Sequence, residues 1–169
     1  MIRSRIALLS AAAALLLQGC STVTKIEGAV PNTTMALSGV GRVQLPQEKD
    51  LASKSTQQYE FMATAPSGQT LYGILPLRVN GGTMATSILF FAPALFIGGF
   101  RDVFPFYQVD PDGGVLRYKV KENQDWRQYK PTQAEIDRSK HYFDAMLAKC
   151  GADGSKQPTP ECATLASVK

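Results

Sequence analysis

Glycine and proline interrupt this chain so regularly that, over most of its length, only short β-type runs fit between them. Residues 33–38 and 42–45 are two such runs, and Gly39-Val40-Gly41 between them supplies the turn glycines of a hairpin. Residues 46–54 are charged and begin with proline, which predicts a loop. In 58–64, Tyr59, Phe61 and Ala63 alternate with polar neighbours, the period of a half-buried strand. A turn at Ala65-Pro66-Ser67-Gly68 leads into a longer run, 70–79, whose later part Pro76 confines to an edge or a bulge. The clearest pair is 106–109 with 115–120. Asp110-Pro111-Asp112-Gly113-Gly114 lies between them, with proline for a fixed φ and glycines for positive φ. The two aspartates of that loop do not make a calcium site, because the distal glutamate of a 12-residue EF-hand loop is missing.

A different period takes over after Pro131. Thr132-Gln133-Ala134-Glu135 is a capping box, so a helix is expected over 132–149. Ile136, Phe143, Met146, Leu147 and Cys150 share one stripe, while Asp137, Arg138, Lys140, Asp144 and Lys149 stay in water. Gly151 follows as a C′ residue. The expected fold class is therefore α+β. A small antiparallel sheet of about six strands, a half-barrel or sandwich, would be covered by the C-terminal helix and by an apolar helical segment over 84–100.

The N-terminus has its own logic. Arg3 and Arg5 precede a twelve-residue uncharged stretch, 6–17, and then Gln18-Gly19-Cys20. The stretch suits a signal peptide and falls short of the about 20 apolar residues a bilayer span needs. Positive charge before it obeys the positive-inside bias. Leu17-Gln18-Gly19-Cys20 resembles the lipobox of bacterial lipoproteins, with Gln18 where Ala or Ser is commoner. The resemblance covers residues 1–21. It implies cleavage before Cys20, acylation of that thiol and of the new amine, and, with Ser21 rather than Asp next, sorting to the periplasmic face of the outer membrane. More than one acyl chain makes a firm anchor. The expected organisation is a signal peptide at 1–19, a lipidated tether at 20–32, one globular domain at 33–150 and a tail at 151–169.

That compartment is oxidising, and two cysteines remain for it. Cys150 and Cys162 flank a polar stretch, so a structural disulfide is expected. A metal site competes poorly, since His141 is the only histidine. Arg3 and Arg5 leave with residues 1–19, taking Lys+Arg from 18 to 16 against 14 Asp+Glu, a net charge of +2. No Lys/Arg cluster survives, which argues against a nucleic-acid partner.

From Ile88 to Phe100 thirteen residues carry no polar side chain, inside 22 uncharged residues between Arg78 and Arg101. Pro93 stands at the centre and the polar flank shortens the apolar core, so a transmembrane helix is not expected. The run either fills the core or meets a membrane or partner. In the second case Phe90, Phe91, Phe96 and Phe100 are the candidate contact residues.

Catalytic patterns are missing. There is no Gly-x-Ser-x-Gly elbow and no phosphate-cradling loop, and a serine triad would rest on His141 alone. No catalytic residue, cofactor or metal ligand is expected. Glu60, Asp102 and Asp110 remain as acids that three dimensions could bring together for glycoside chemistry. Trp126 with Tyr129 would make a sugar-stacking shelf, whereas the plainer reading turns Trp126 inward as a strand residue. The expected function is a non-catalytic, lipid-anchored envelope protein that binds an envelope protein or glycan. The alternatives are an enzyme on wall or surface polysaccharide, or its accessory subunit, and a structural lipoprotein of an envelope complex.

Overall fold

The computed structural model describes residues 21–54, 57–81, 100–150 and 162. Among them eleven strands follow in chain order: β1 (Ser21–Gly28), β2 (Thr34–Leu37), β3 (Gly41–Gln44), β4 (Gln47–Ala52), β5 (Glu60–Thr64) and β6 (Thr70–Ile74). β7 (Leu77–Val79), β8 (Arg101–Val103), β9 (Phe106–Asp110), β10 (Val115–Lys119) and β11 (Arg127–Tyr129) complete them, before the C-terminal helix α1 (Gln133–Cys150). One sheet has the order β11-β10-β9-β1-β4, a second β3-β2-β5-β6, and β7 pairs with β8. The fold is α+β, β-sheets covered by one C-terminal helix, as expected; the apolar segment over 84–99 lies outside the described residues.

Three layers follow from which faces are apolar. Ile26, Leu51, Tyr107, Val109 and Leu116 of the five-stranded sheet meet Met35, Leu37, Val43, Phe61 and Ala63 of the four-stranded one in a single buried core. The far side of the four-stranded sheet carries Ala36 and Met62, on which α1 lays Phe143. β5 is therefore buried on both faces, and four of its five residues are closed to solvent. Ser139 Oγ donates to the Phe61 carbonyl at 2.7 Å, tying helix to strand from within this layer. Gly73 is needed here. A methyl group on it would lie 2.8 Å from Pro131 Cγ and 2.9 Å from the Phe61 ring.

Local signals placed the hairpins and the helix. β2 and β3 pair around Gly39 and Gly41, both at positive φ, and β9 pairs with β10 across the turn that ends at Gly114, φ 64°. The capping box forms: Thr132 N and Oγ1 each donate to Glu135 Oε2 at 2.7 Å. Burial opposes the charge of Glu135, but the nearby Tyr129 hydroxyl and the Thr132 donors outweigh it and lower the carboxyl pKa. The stripe of α1 buries Phe143, Cys150 and Ser139 and half-buries Ile136, Met146 and Leu147.

Long-range pairing overturned three expectations. Residues 21–28 are no tether but β1, which lies between β4 and, in the one parallel pairing among these strands, β9. Ile26 is fully buried there, and Thr24 Oγ1 donates to the Phe104 carbonyl at 2.7 Å. Residues 47–52 are no loop but β4, because their alternating charges face water while the main chain pairs with β1. The run 70–79 is two strands, since the chain leaves one sheet at Leu75-Pro76 and joins another.

Tyr107 marks that corner. Its buried hydroxyl donates to the Pro76 carbonyl at 2.6 Å and accepts from Phe104 N at 2.9 Å. Burial pushes its ionisation far above the ordinary tyrosine value of 10.0. Tyr107→Phe orphans both backbone groups and costs about 1–3 kcal/mol in urea unfolding at neutral pH. A raised pKa contributes stability that is complete below the ordinary value and lost as the pH climbs above it. Wild-type stability should thus decline above pH 10.0, and the decline should be shallower in the variant. An unchanged alkaline limb would contradict this role for the hydroxyl.

Candidate functional site

Two places on the molecule gather chemistry. The first is the end of the sheet where β1 begins. Ser21 is opposite Ala52, and two residues further Lys54 exchanges both backbone hydrogen bonds with Arg101 (2.8 and 3.0 Å). The residue before Ser21 is Cys20, and the residue before Arg101 closes the apolar run that leaves after Gly81. Phe100 is half-buried and its carbonyl accepts from Asn80 N at 2.8 Å. Ser21, Asn80 and Phe100 thus lie at one end of the described domain.

That end is held by a buried carboxylate. Asp102 accepts from Ser53 Oγ at 2.6 Å and from Asn80 Nδ2 at 2.9 Å, which joins the exits of β4 and β7 to β8. Lys54 Nζ sits 4.5 Å over the Tyr59 ring, and the Tyr59 hydroxyl donates to the Ala52 carbonyl at 2.8 Å. Arg101 Nη2 donates to the Gln57 carbonyl at 3.0 Å.

The second place is the outer face of the five-stranded sheet. Trp126 is not turned inward but precedes β11, half-exposed, with Lys119 Nζ 4.5 Å over its ring. Tyr129 points the other way, packed on the core, where burial pushes its phenol well above the ordinary value. A shelf shared by Trp126 and Tyr129 does not form, because strand alternation separates them. Phe106, from β9, is the ring that stands near Trp126: Lys119 Nζ lies 5.6 Å from it. Nothing in the sequence pairs residues 106 and 126. The link is the register that sets Lys119 opposite Phe106.

The three acids stay apart. Glu60 in β5 is bound by Arg138 Nε and Nη2 at 3.0 and 2.8 Å, Asp102 by Ser53 and Asn80, and Asp110 by Gly113 N at 2.9 Å and Arg117 at 3.3 Å. Each sits on a different sheet. Among the described residues no three His, Cys, Asp or Glu side chains gather as a metal site would require. No described helix is long and apolar enough to cross a membrane. Cys150 and Cys162 form a disulfide. Cys20, Phe90, Phe91 and Phe96, the signal segment, Gly151 and the rest of the tail lie outside the described residues.

Comparison with protein-family models, with curated proteins and with solved structures finds no match in any of the three.

Proposed function

We propose that this chain is an envelope lipoprotein, anchored through acylated Cys20 to the periplasmic face of the outer membrane, where its folded domain binds another envelope component without catalysis. The observation that carries the reading is the start of β1 at Ser21, one residue after Cys20. With no slack between lipid and sheet, the anchored end is held against the headgroups. The described residues on either side of the apolar run, Asn80 and Phe100, lie at the same end, so Phe90, Phe91, Phe96 and Phe100 are its candidate contacts with that leaflet or a neighbour in it. Lys54 and Arg101 flank that end, paired to each other through the main chain. Confinement beside the membrane raises the domain's effective concentration for membrane-bound partners.

The test is lipid labelling and fractionation of full-length protein. Wild type should incorporate labelled palmitate, lose residues 1–19 and pellet with outer membranes, while Cys20→Ser should take no label and leave the membrane fraction. An unlabelled wild type with an intact leader overturns the anchor. The contribution of the apolar run is read separately, by floating the Cys20→Ser form on anionic vesicles with and without Phe96→Ser. Flotation that Phe96→Ser abolishes supports contact with the leaflet. Flotation that is absent, or indifferent to the substitution, removes the run from the membrane and leaves the lipid alone as anchor.

A further inference from the structure

We propose that the outward face of the five-stranded sheet binds an uncharged pyranose chain, with Trp126 and Phe106 as its stacking platforms. The proposal rests on the binding role advanced above and names the component bound: a glycan.

Strand register builds the surface. Lys25 is opposite Phe106, and Phe106 opposite Lys119, so the three form one row across β1, β9 and β10. Two residues along, Glu27, Gln108, Arg117 and Gln128 form the next row, across four strands. The intervening residues Ile26, Tyr107, Val109 and Leu116 are buried in the core, which turns both rows to water. Trp126 stands at the end of the first row beside Lys119. Two clefts, of about 260 and about 220 Å³, meet at Lys119 and Trp126. The smaller cleft opens on the outward rows, with Lys25, Glu27, Gln108 and Lys119 around Phe106 and Trp126, and the larger backs onto Phe104 and Val120 at the end of the sheet.

The chemistry of the rows selects the ligand class. A pyranose offers an apolar face of C–H groups and an equatorial rim of hydroxyls. The C–H face packs on an aromatic ring, whose electron-rich surface favours it. Hydroxyls, each donor and acceptor, are matched by amides and guanidinium, which Gln108, Gln128 and Arg117 supply one strand apart. Arg117 is already fixed, donating to Gln108 Oε1 at 3.0 Å and to Asp110 Oδ2 at 3.3 Å, so little order is lost on binding. Charge argues against an anionic polymer. Lys25 pairs with Glu27 at 2.8 Å and Arg117 with Asp110 at 3.3 Å, so Lys119, which donates to the Glu122 carbonyl at 2.6 Å, is a single cation between the rings and not the run of positive field a polyanion needs. A protein partner would want a larger apolar centre than two rings among paired charges.

Trp126 is the only tryptophan in the chain, so it reports on its own site. Full-length protein in detergent is titrated with the β-1,4-linked tetramer of N-acetylglucosamine, following Trp126 emission and, in parallel, heat of binding. Saturable change in both is expected at millimolar sugar. Trp126→Ala should weaken the heat-detected affinity about tenfold, with Trp126→Phe restoring most of it. Gln108→Ala should weaken it about fivefold while leaving the ring in place. A flat titration, or binding that Trp126→Ala does not weaken, overturns the proposal. So does crosslinking in whole envelopes that captures a protein through this face while the tetramer fails to bind. Cys20→Ser separates the two readings: it should bind sugar as wild type does, so loss of the anchor and loss of the glycan site are told apart.

Discussion

Deleting Ser21–Gly28, so that Cys20 joins Ala29, should abolish the cooperative thermal transition of the domain. β1 is paired along both edges, with β4 on one side and β9 on the other. Without it the sheet is cut in two, and β4 is left with no partner in its own sheet. Buried Ile26 and Thr24 leave the interior with it. A tether would behave differently, because its removal would leave the melting temperature unchanged. The point substitution Ile26→Ala grades the effect. Truncating a fully buried isoleucine costs about 2–5 kcal/mol through lost transfer energy and the cavity left behind. For a domain of this size, that lowers the melting temperature by roughly 10 °C. Circular dichroism melts of both variants decide the matter, and a deletion variant that still melts cooperatively near wild type would refute the central position of β1.

Phe143→Ala should be the most costly single change in α1, at about 3–5 kcal/mol in urea unfolding. The ring is almost wholly buried against Ala36 and Met62, and it meets the Tyr142 ring edge-on at 5.1 Å between centroids. Much of the apolar contact holding helix to sheet passes through it. The polar ties Ser139 to Phe61 and Arg138 to Glu60 remain in the variant, but a hydrogen bond contributes only about 1 kcal/mol net. Helix dissociation would then uncover Met62 and leave the outer face of β5 wet. The nearby exposed change Asp144→Ala, on the wet side of the same helix turn, should stay within about 0.5 kcal/mol. Equal effects of the two substitutions would mean that the stripe does not hold the helix down.

Wherever a signal is local, the residues themselves state the structure. Thr132 and Glu135 are three apart and close the capping box whatever surrounds them. Gly39, Gly41 and Gly114 adopt positive φ because few other residues can, and the hairpins at β2–β3 and β9–β10 follow. The same holds for the stripe of α1. The pairing of β1 with β9 is the opposite case: Lys25 and Phe106 are neighbours across eighty residues of chain. A strand that buries only two of its eight side chains looks like linker until its partner is known. The charged run of β4 misled for the same reason. Its side chains belong in water, while its amides and carbonyls belong to a sheet.

The candidate sites divide along the same line. Sequence alone named Cys20 and the phenylalanines of the apolar run, because charge, length and spacing are properties of the chain. It raised Trp126 only beside Tyr129, and preferred it turned inward, whereas the residue is half-exposed. Which end of the domain holds the start of β1 together with the residues that flank the apolar run, which acids stay apart, and which rings and amides line one face were decided by strand register. Register is settled by burying one face of each strand against another sheet, an energy that no short window of residues contains.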